Sequence, residues 1–133
     1  MEKEDLMTMA DDLVNRLARD WQADAESKRR ALDNVKGMTG DIVGYLEMVA
    51  ERLSATELGT MSTTDWTAVD GSFVMKWTME QTGRESETIE LVVRGNELSM
   101  SGRRYDLREE PKEALHDLQK MLRSFFGPPT ANQ

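Results

Sequence analysis

Cysteine is missing from this chain of 133 residues, which excludes disulfides and thiolate chemistry and suits a reducing compartment. Histidine occurs once, at His116, so any nucleophile–base pair or imidazole metal site has to use that residue. Neither of the glycine patterns that cradle phosphate, G-x-x-x-x-G-K-[ST] and G-x-G-x-x-G, is present. No run approaches the ~18 apolar residues of a membrane span. The opening Met1-Glu2-Lys3-Glu4-Asp5 is acidic and lacks the basic start and apolar run of a secretory signal. These absences lead us to expect a cytoplasmic protein, not membrane-associated, with no catalytic, cofactor-binding or metal-ligating set.

Positive charge is also in short supply. Against 25 acidic side chains there are 17 basic ones, a net charge of −8. Such a balance repels phosphate backbones unless basic groups cluster, because few counterions are released on contact. Two short clusters exist, Lys28-Arg29-Arg30 and Arg103-Arg104 with Arg108 nearby. The first lies among Asp24, Glu26 and Asp33, which cancel much of its field. Nucleic acid is therefore not the expected partner.

What the chain does carry is periodicity. Leu6, Ala10, Leu13, Leu17, Trp21, Ala25, Leu32 and Val35 recur at helical spacing, so 4–35 reads as an amphipathic helix that is cleanest from Leu6 to Trp21. Gly37 and Gly40 then interrupt the pattern. Two readings fit: a turn, with Thr39 or Asp41 capping the next helix, or a continuous helix whose Gly37, Gly40 and Gly44 line a close contact. A second helix follows from 41 to 53 or 58, with Ile42, Leu46, Val49 and Leu53 as its stripe and Gly59 as its stop. Polar 60–64 reads as a linker.

From Asp65 the period changes to two. Asp70-Gly71 predicts a two-residue type I′ hairpin that pairs Val69 with Ser72 and Ala68 with Phe73. Gly83 marks the turn over 81–86. Gly95-Asn96, with glycine first, predicts a type II′ hairpin that pairs Val93 with Leu98. Both registers place Trp66, Phe73, Met75, Trp77, Met79, Leu91 and Val93 on one face, and a one-residue slip would mix the faces. Pro111 suits the first position of a last helix, in which Leu115, Leu118, Met121 or Leu122, and Phe125 face inward. The whole pattern predicts an α+β fold of order ααββββα: two N-terminal helices, a four-stranded antiparallel meander sheet and a C-terminal helix, with the helices on one sheet face. It is read as a single domain over 1–126, with a helical segment 4–58, sheet 65–106, closing helix 110–126 and a disordered tail 127–133.

The chemistry-bearing spacings are weak. Glu113 and His116 have the Glu-x-x-His spacing of di-iron bundles, but those need the motif twice, so a surface histidine beside Asp117 is the plainer reading. Asp20 with Asp24, and Glu47 with Glu51, could each share a divalent ion, yet acids spaced so on a helix also describe a solvated face. Ten methionines are present; Met75, Met79 and Met100 on the apolar sheet face are either core filler or an adaptable contact surface. If the second and last helices cover the sheet, the stripe of Leu6, Leu13, Leu17 and Trp21 is left to meet another chain, Trp21 as anchor; otherwise the first helix folds back as a hairpin. The expected function is non-enzymatic protein–protein interaction, with an unidentified protein partner and a homodimer formed through the N-terminal helix. A divalent-metal hydrolase using acidic residues, and a nucleic-acid-linked regulator or charge mimic, are the alternatives. In size, charge and helices flanking a sheet, the chain resembles dedicated secretion chaperones; the element order differs and no residue is carried over.

Overall fold

The helical period that opens the chain is realised as one long helix, α1, over Lys3–Met38, with Glu4 and Asp5 in its first turn, where carboxylates complement the helix dipole. The computed structural model describes residues 2–128; of the expected tail over 127–133, the part from 129 onward lies outside the described residues. After α1 come α2 (Gly40–Thr56), six strands, and α3 (Pro111–Phe126). The strands are β1 (Thr60–Thr63), β2 (Thr67–Val69), β3 (Ser72–Glu80), β4 (Glu87–Arg94), β5 (Glu97–Met100) and β6 (Arg103–Asp106). The class is α+β with an antiparallel sheet, helices before it and a helix after it. Packing divides the chain into two compact units, Met1–Asn34 and Val35–Gln133.

A single residue, Thr39, separates α1 from α2. Its amide donates to the Val35 carbonyl at 3.0 Å, and its own carbonyl accepts from the Val43 amide at 2.9 Å. The buried hydroxyl also donates back to Val35, at 2.6 Å. Helical hydrogen bonding thus passes through the joint, closer to the continuous helix than to the turn. The glycines do not serve close contact, however: a Cβ at Gly37, Gly40 or Gly44 would meet nothing within 4 Å. Nor does the Thr39 side chain cap α2: its hydroxyl is turned back toward the Val35 carbonyl and accepts from no amide of α2. At its other end α2 stops at Thr56, three residues before Gly59. Glu57 adopts a left-handed φ of 59° and the amide of Leu58 bonds the Leu53 carbonyl, the pattern of a Schellman stop.

In the second unit the alternation anticipated for the sheet is observed. Val69 pairs Ser72, Ala68 pairs Phe73 and Val93 pairs Leu98, all antiparallel. Asp70 and Gly71 both have positive φ, as a type I′ turn demands, and Gly95 has φ 60°. The strand count differs from the expected four, at two places. Ser101-Gly102 is a further hairpin, with φ of 51° and 79°, so the expected fourth strand is really β5 and β6. The expected linker over 60–64 forms β1, whose Thr-rich sequence suits a pleated edge although only Met61 turns inward. β1 and β2 both pair with β3, at Trp77–Glu80 and Ser72–Val74. Between them three residues, 64–66, stand opposite two, Met75 and Lys76. That extra residue is a bulge in one interrupted edge strand.

The core lies between one sheet face and the two helices α2 and α3. Met75, Trp77, Met79, Ile89, Leu91, Val93, Leu98 and Met100 are buried from the sheet, with Ile42 and Leu46 from α2 and Ala114, Leu118, Leu122 and Phe125 from α3. The three sheet methionines are therefore core, and the Trp77 indole donates to the Met75 sulfur at 3.2 Å. The opposite face is polar, with Lys76 across from Glu90 and Thr78 across from Thr88; Val74 and Val92 pair there half-buried. The turn between β3 and β4 fastens both helices. Gln81 donates to the Leu58 carbonyl at 3.0 Å, and Arg84 donates to the last carbonyls of α3, at Ser124 and Phe125, while its guanidinium lies 4.7 Å from the Phe125 ring.

Candidate interaction surface

The first unit consists of helix alone, and its local pattern explains why it is helical. Apolar side chains recur every three or four residues, Val14 is the one valine between Leu6 and Trp21, and no proline interrupts. Lys28 pairs with Asp24 at 3.0 Å and Arg30 with Glu26 at 3.7 Å, each one turn apart. Such exposed pairs contribute only about 0.3–0.5 kcal/mol each. They support the helix but do not explain what its apolar side is for.

That side is exposed. Leu6 is 51%, Leu13 58%, Leu17 47% and Trp21 76% accessible. The four residues picked out in the sequence thus share one helix face and remain open to solvent. Met7, Met9 and Val14 are exposed beside them and widen the stripe. These three were not singled out because they sit at the margins of the period, although their spacing from Leu13 and Leu17 was available as a signal. Elsewhere the exposed large apolar residues, Met48, Leu58 and Val69, are scattered over different elements. Isolated apolar residues are ordinary on a protein surface; a contiguous stripe is not.

The second unit offers an open, mainly apolar groove of about 560 Å³ between α2 and α3, lined by Tyr45, Val49, Leu53, Leu122 and Phe126, with Gln119 and Arg123 as its polar side chains.

The other constellations resolve into structural roles. Among the described residues no group of three or more His, Asp or Glu side chains is arranged to hold a metal ion. Of the acidic pairs, Asp20 and Asp24 lie exposed on α1, where Asp24 is ion-paired, and Glu47 and Glu51 lie exposed on α2. His116 is exposed on α3, and its neighbour Asp117 is engaged elsewhere. Tyr105 donates to the Asp117 carboxylate at 2.6 Å and Arg103 donates to it at 2.9 Å. The two bonds, with that of Tyr105 the stronger influence, hold the Asp117 carboxyl below its ordinary range. Burial, reinforced by the same carboxylate, pushes the Tyr105 phenol up, and Asp117 raises Arg103. This cluster ties β6 to α3. Arg104 pairs with Glu97 at 3.6 Å, so both members of the second basic cluster face a carboxylate. The sequence shows Asp117 only as the neighbour of His116; its pairing with Tyr105 depends on the Ser101-Gly102 turn, which sets the face of Tyr105 and has no counterpart in the expected meander.

No helix of the described residues is long and apolar enough to cross a membrane. No protein-family model matches the chain, and no curated protein or solved structure is significantly similar to it.

Proposed function

We propose that the protein is a non-enzymatic interaction module, an adaptor or chaperone-like protein that works as a homodimer, with α1 between Leu6 and Trp21 as its binding surface. The observation that carries this reading is the contiguous exposed stripe of Leu6, Leu13, Leu17 and Trp21, widened by Met7, Met9 and Val14. Fully burying one large apolar side chain gains about 1.5–3 kcal/mol. With about half to three-quarters of each side chain still exposed, eight such anchors across two copies gain roughly half to two-thirds of that sum, comparable to the roughly 4–15 kcal/mol that association costs in lost freedom. One helix on its own has too narrow an apolar side to bury itself, so its partner has to come from packing against something else. The polar face of α1, with its ion pairs, keeps the assembly soluble. The cytoplasm is the compartment proposed with this reading; a chain without cysteine folds there without oxidative help.

The test is molar mass in solution by size-exclusion chromatography with light scattering. The unaltered chain is expected at twice the chain mass and the Leu13→Glu/Leu17→Glu variant at the chain mass, because two buried carboxylates oppose the contact. Trp21→Ala is expected to weaken the dimer about ten-fold or more, as loss of a large aromatic anchor does. A monomer at every concentration for the unaltered chain would overturn the dimer.

A further inference from the structure

We infer that the occupant of the α1 stripe is the α1 helix of a second copy, running antiparallel and centred on Leu13 and Val14. This rests on the reading of α1 as a self-association surface and adds the identity and direction of what lies against it.

Two features of α1 bear on the arrangement, one on its register and one on its direction. The first is where the stripe lies. It begins at Leu6 and ends at Trp21, so an antiparallel pair centred on Leu13 and Val14 brings the two stripes into complete overlap. Leu6 then meets Trp21 of the second copy, Ala10 meets Leu17, and Leu13 meets Val14, so that each exposed anchor finds an apolar side chain opposite. A parallel pair in register also overlaps the stripes, so overlap alone does not choose between them.

Charge does. Residues 2–12 carry five carboxylates and one lysine, Lys3. A parallel pair would set this acidic stretch directly against its own copy, and like charges side by side oppose association. In the antiparallel pair the same stretch faces residues 15–25, in which Arg16 and Arg19 balance Asp20 and Asp24. Lys3 then lies level with Asp24 of the second copy, once at each end of the stripe. Reversal removes the repulsion and sets opposite charges at the two ends of the stripe. The helix is self-complementary in one direction only.

The cysteine-free chain allows a clean measurement, since a single introduced thiol is the only site that a spin label can take. Lys3→Cys and Asp24→Cys place labels on exposed residues just outside the apolar stripe, in the full chain. Lys3 and Asp24 are separated by about 30 Å along the helix at 1.5 Å per residue. In the antiparallel pair, two copies labelled at Lys3 give a dipolar distance of roughly 30 Å, as do two copies labelled at Asp24. A mixture of the two variants adds a short distance of roughly 10–15 Å, set by the spacing of packed helices. Short distances in each variant alone, with none added on mixing, overturn the antiparallel arrangement and leave the dimer standing. Light scattering on the same labelled samples separates the remaining outcomes. A dimer without either pattern moves the interface off α1 and overturns the inference, whereas a monomer removes the self-association on which it rests.

Discussion

The two compact units bury their apolar residues to opposite extents. In Val35–Gln133 the leucines at 46, 91, 98 and 118 have no measurable exposure, whereas in Met1–Asn34 the leucines at 6, 13 and 17 are about half exposed. The side chains are chemically the same; what differs is whether the chain supplies a second layer. A sheet face with two helices over it closes a core. The helix of the first unit presents its stripe to solvent.

Truncation of a leucine in each unit should separate the two cases most widely. Leu46→Ala removes a side chain with 0% exposure from the middle of α2 and is expected to cost about 2–5 kcal/mol in urea unfolding. Leu13→Ala on α1, at 58% exposure, is expected to change the unfolding of the second unit by no more than about 0.5 kcal/mol, while weakening the dimer. Equal losses of stability from both substitutions would break the comparison and show that the α1 stripe belongs to the folded core.

A smaller effect is expected at Gly59. A Cβ there would stand 2.6 Å from the Phe126 ring and 2.7 Å from the Glu80 carbonyl oxygen. Gly59→Ala is therefore expected to cost about 1–3 kcal/mol by forcing apart the end of β3 and the end of α3, read as a lowered urea midpoint with unchanged slope. Gly37→Ala, where nothing lies nearby, should be neutral or stabilising through helix propensity. The same substitution at two glycines thus reports on packing at one and on the backbone alone at the other.

The smallest effect is the response to acid. The carboxyl of Asp117 is held below its unfolded value by Tyr105 and Arg103. Its contribution is complete above the unfolded pKa, near 4, and is lost as pH falls through the lower folded value. Asp117→Asn should lower the melting temperature at neutral pH and narrow the gap to the unaltered protein as the solution is acidified below about pH 4. A gap that stays constant across that range would show that the carboxylate is not what fastens β6 to α3.

Much of the architecture could be read in advance because turn chemistry and side-chain period agreed. Asp70-Gly71 and Gly95-Asn96 each set a register, and the registers on either side of β3 and β4 placed the same side chains inward. The features that escaped are those where one signal was silent. β1 carries one inward apolar residue, Met61, too little for a period to show. Ser101-Gly102 is a weaker turn pair than Asp-Gly, so a hairpin passed for a continuous strand. Gly59 reads as a helix stop, whereas the helix ends at Thr56 with Glu57 as its cap, and the glycine answers to Phe126, a residue far away in the chain. Long-range packing of this kind leaves no local trace. The exposed face of α1 was the opposite case. Its apolar side could be read at Leu6, Leu13, Leu17 and Trp21, because an amphipathic helix writes that side into spacing; spacing does not say what covers it.

The bulge between β1 and β2 bears on how such a molecule behaves when crowded. An open sheet ends in two rows of unspent amides and carbonyls, onto which another sheet could add. Here one end is bent by the extra residue at 64–66, and the other, β6, is four residues long and carries Arg103, Arg104 and Asp106. Both ends are poor templates for strand addition. Growth into fibrils by edge-to-edge strand addition is thereby discouraged.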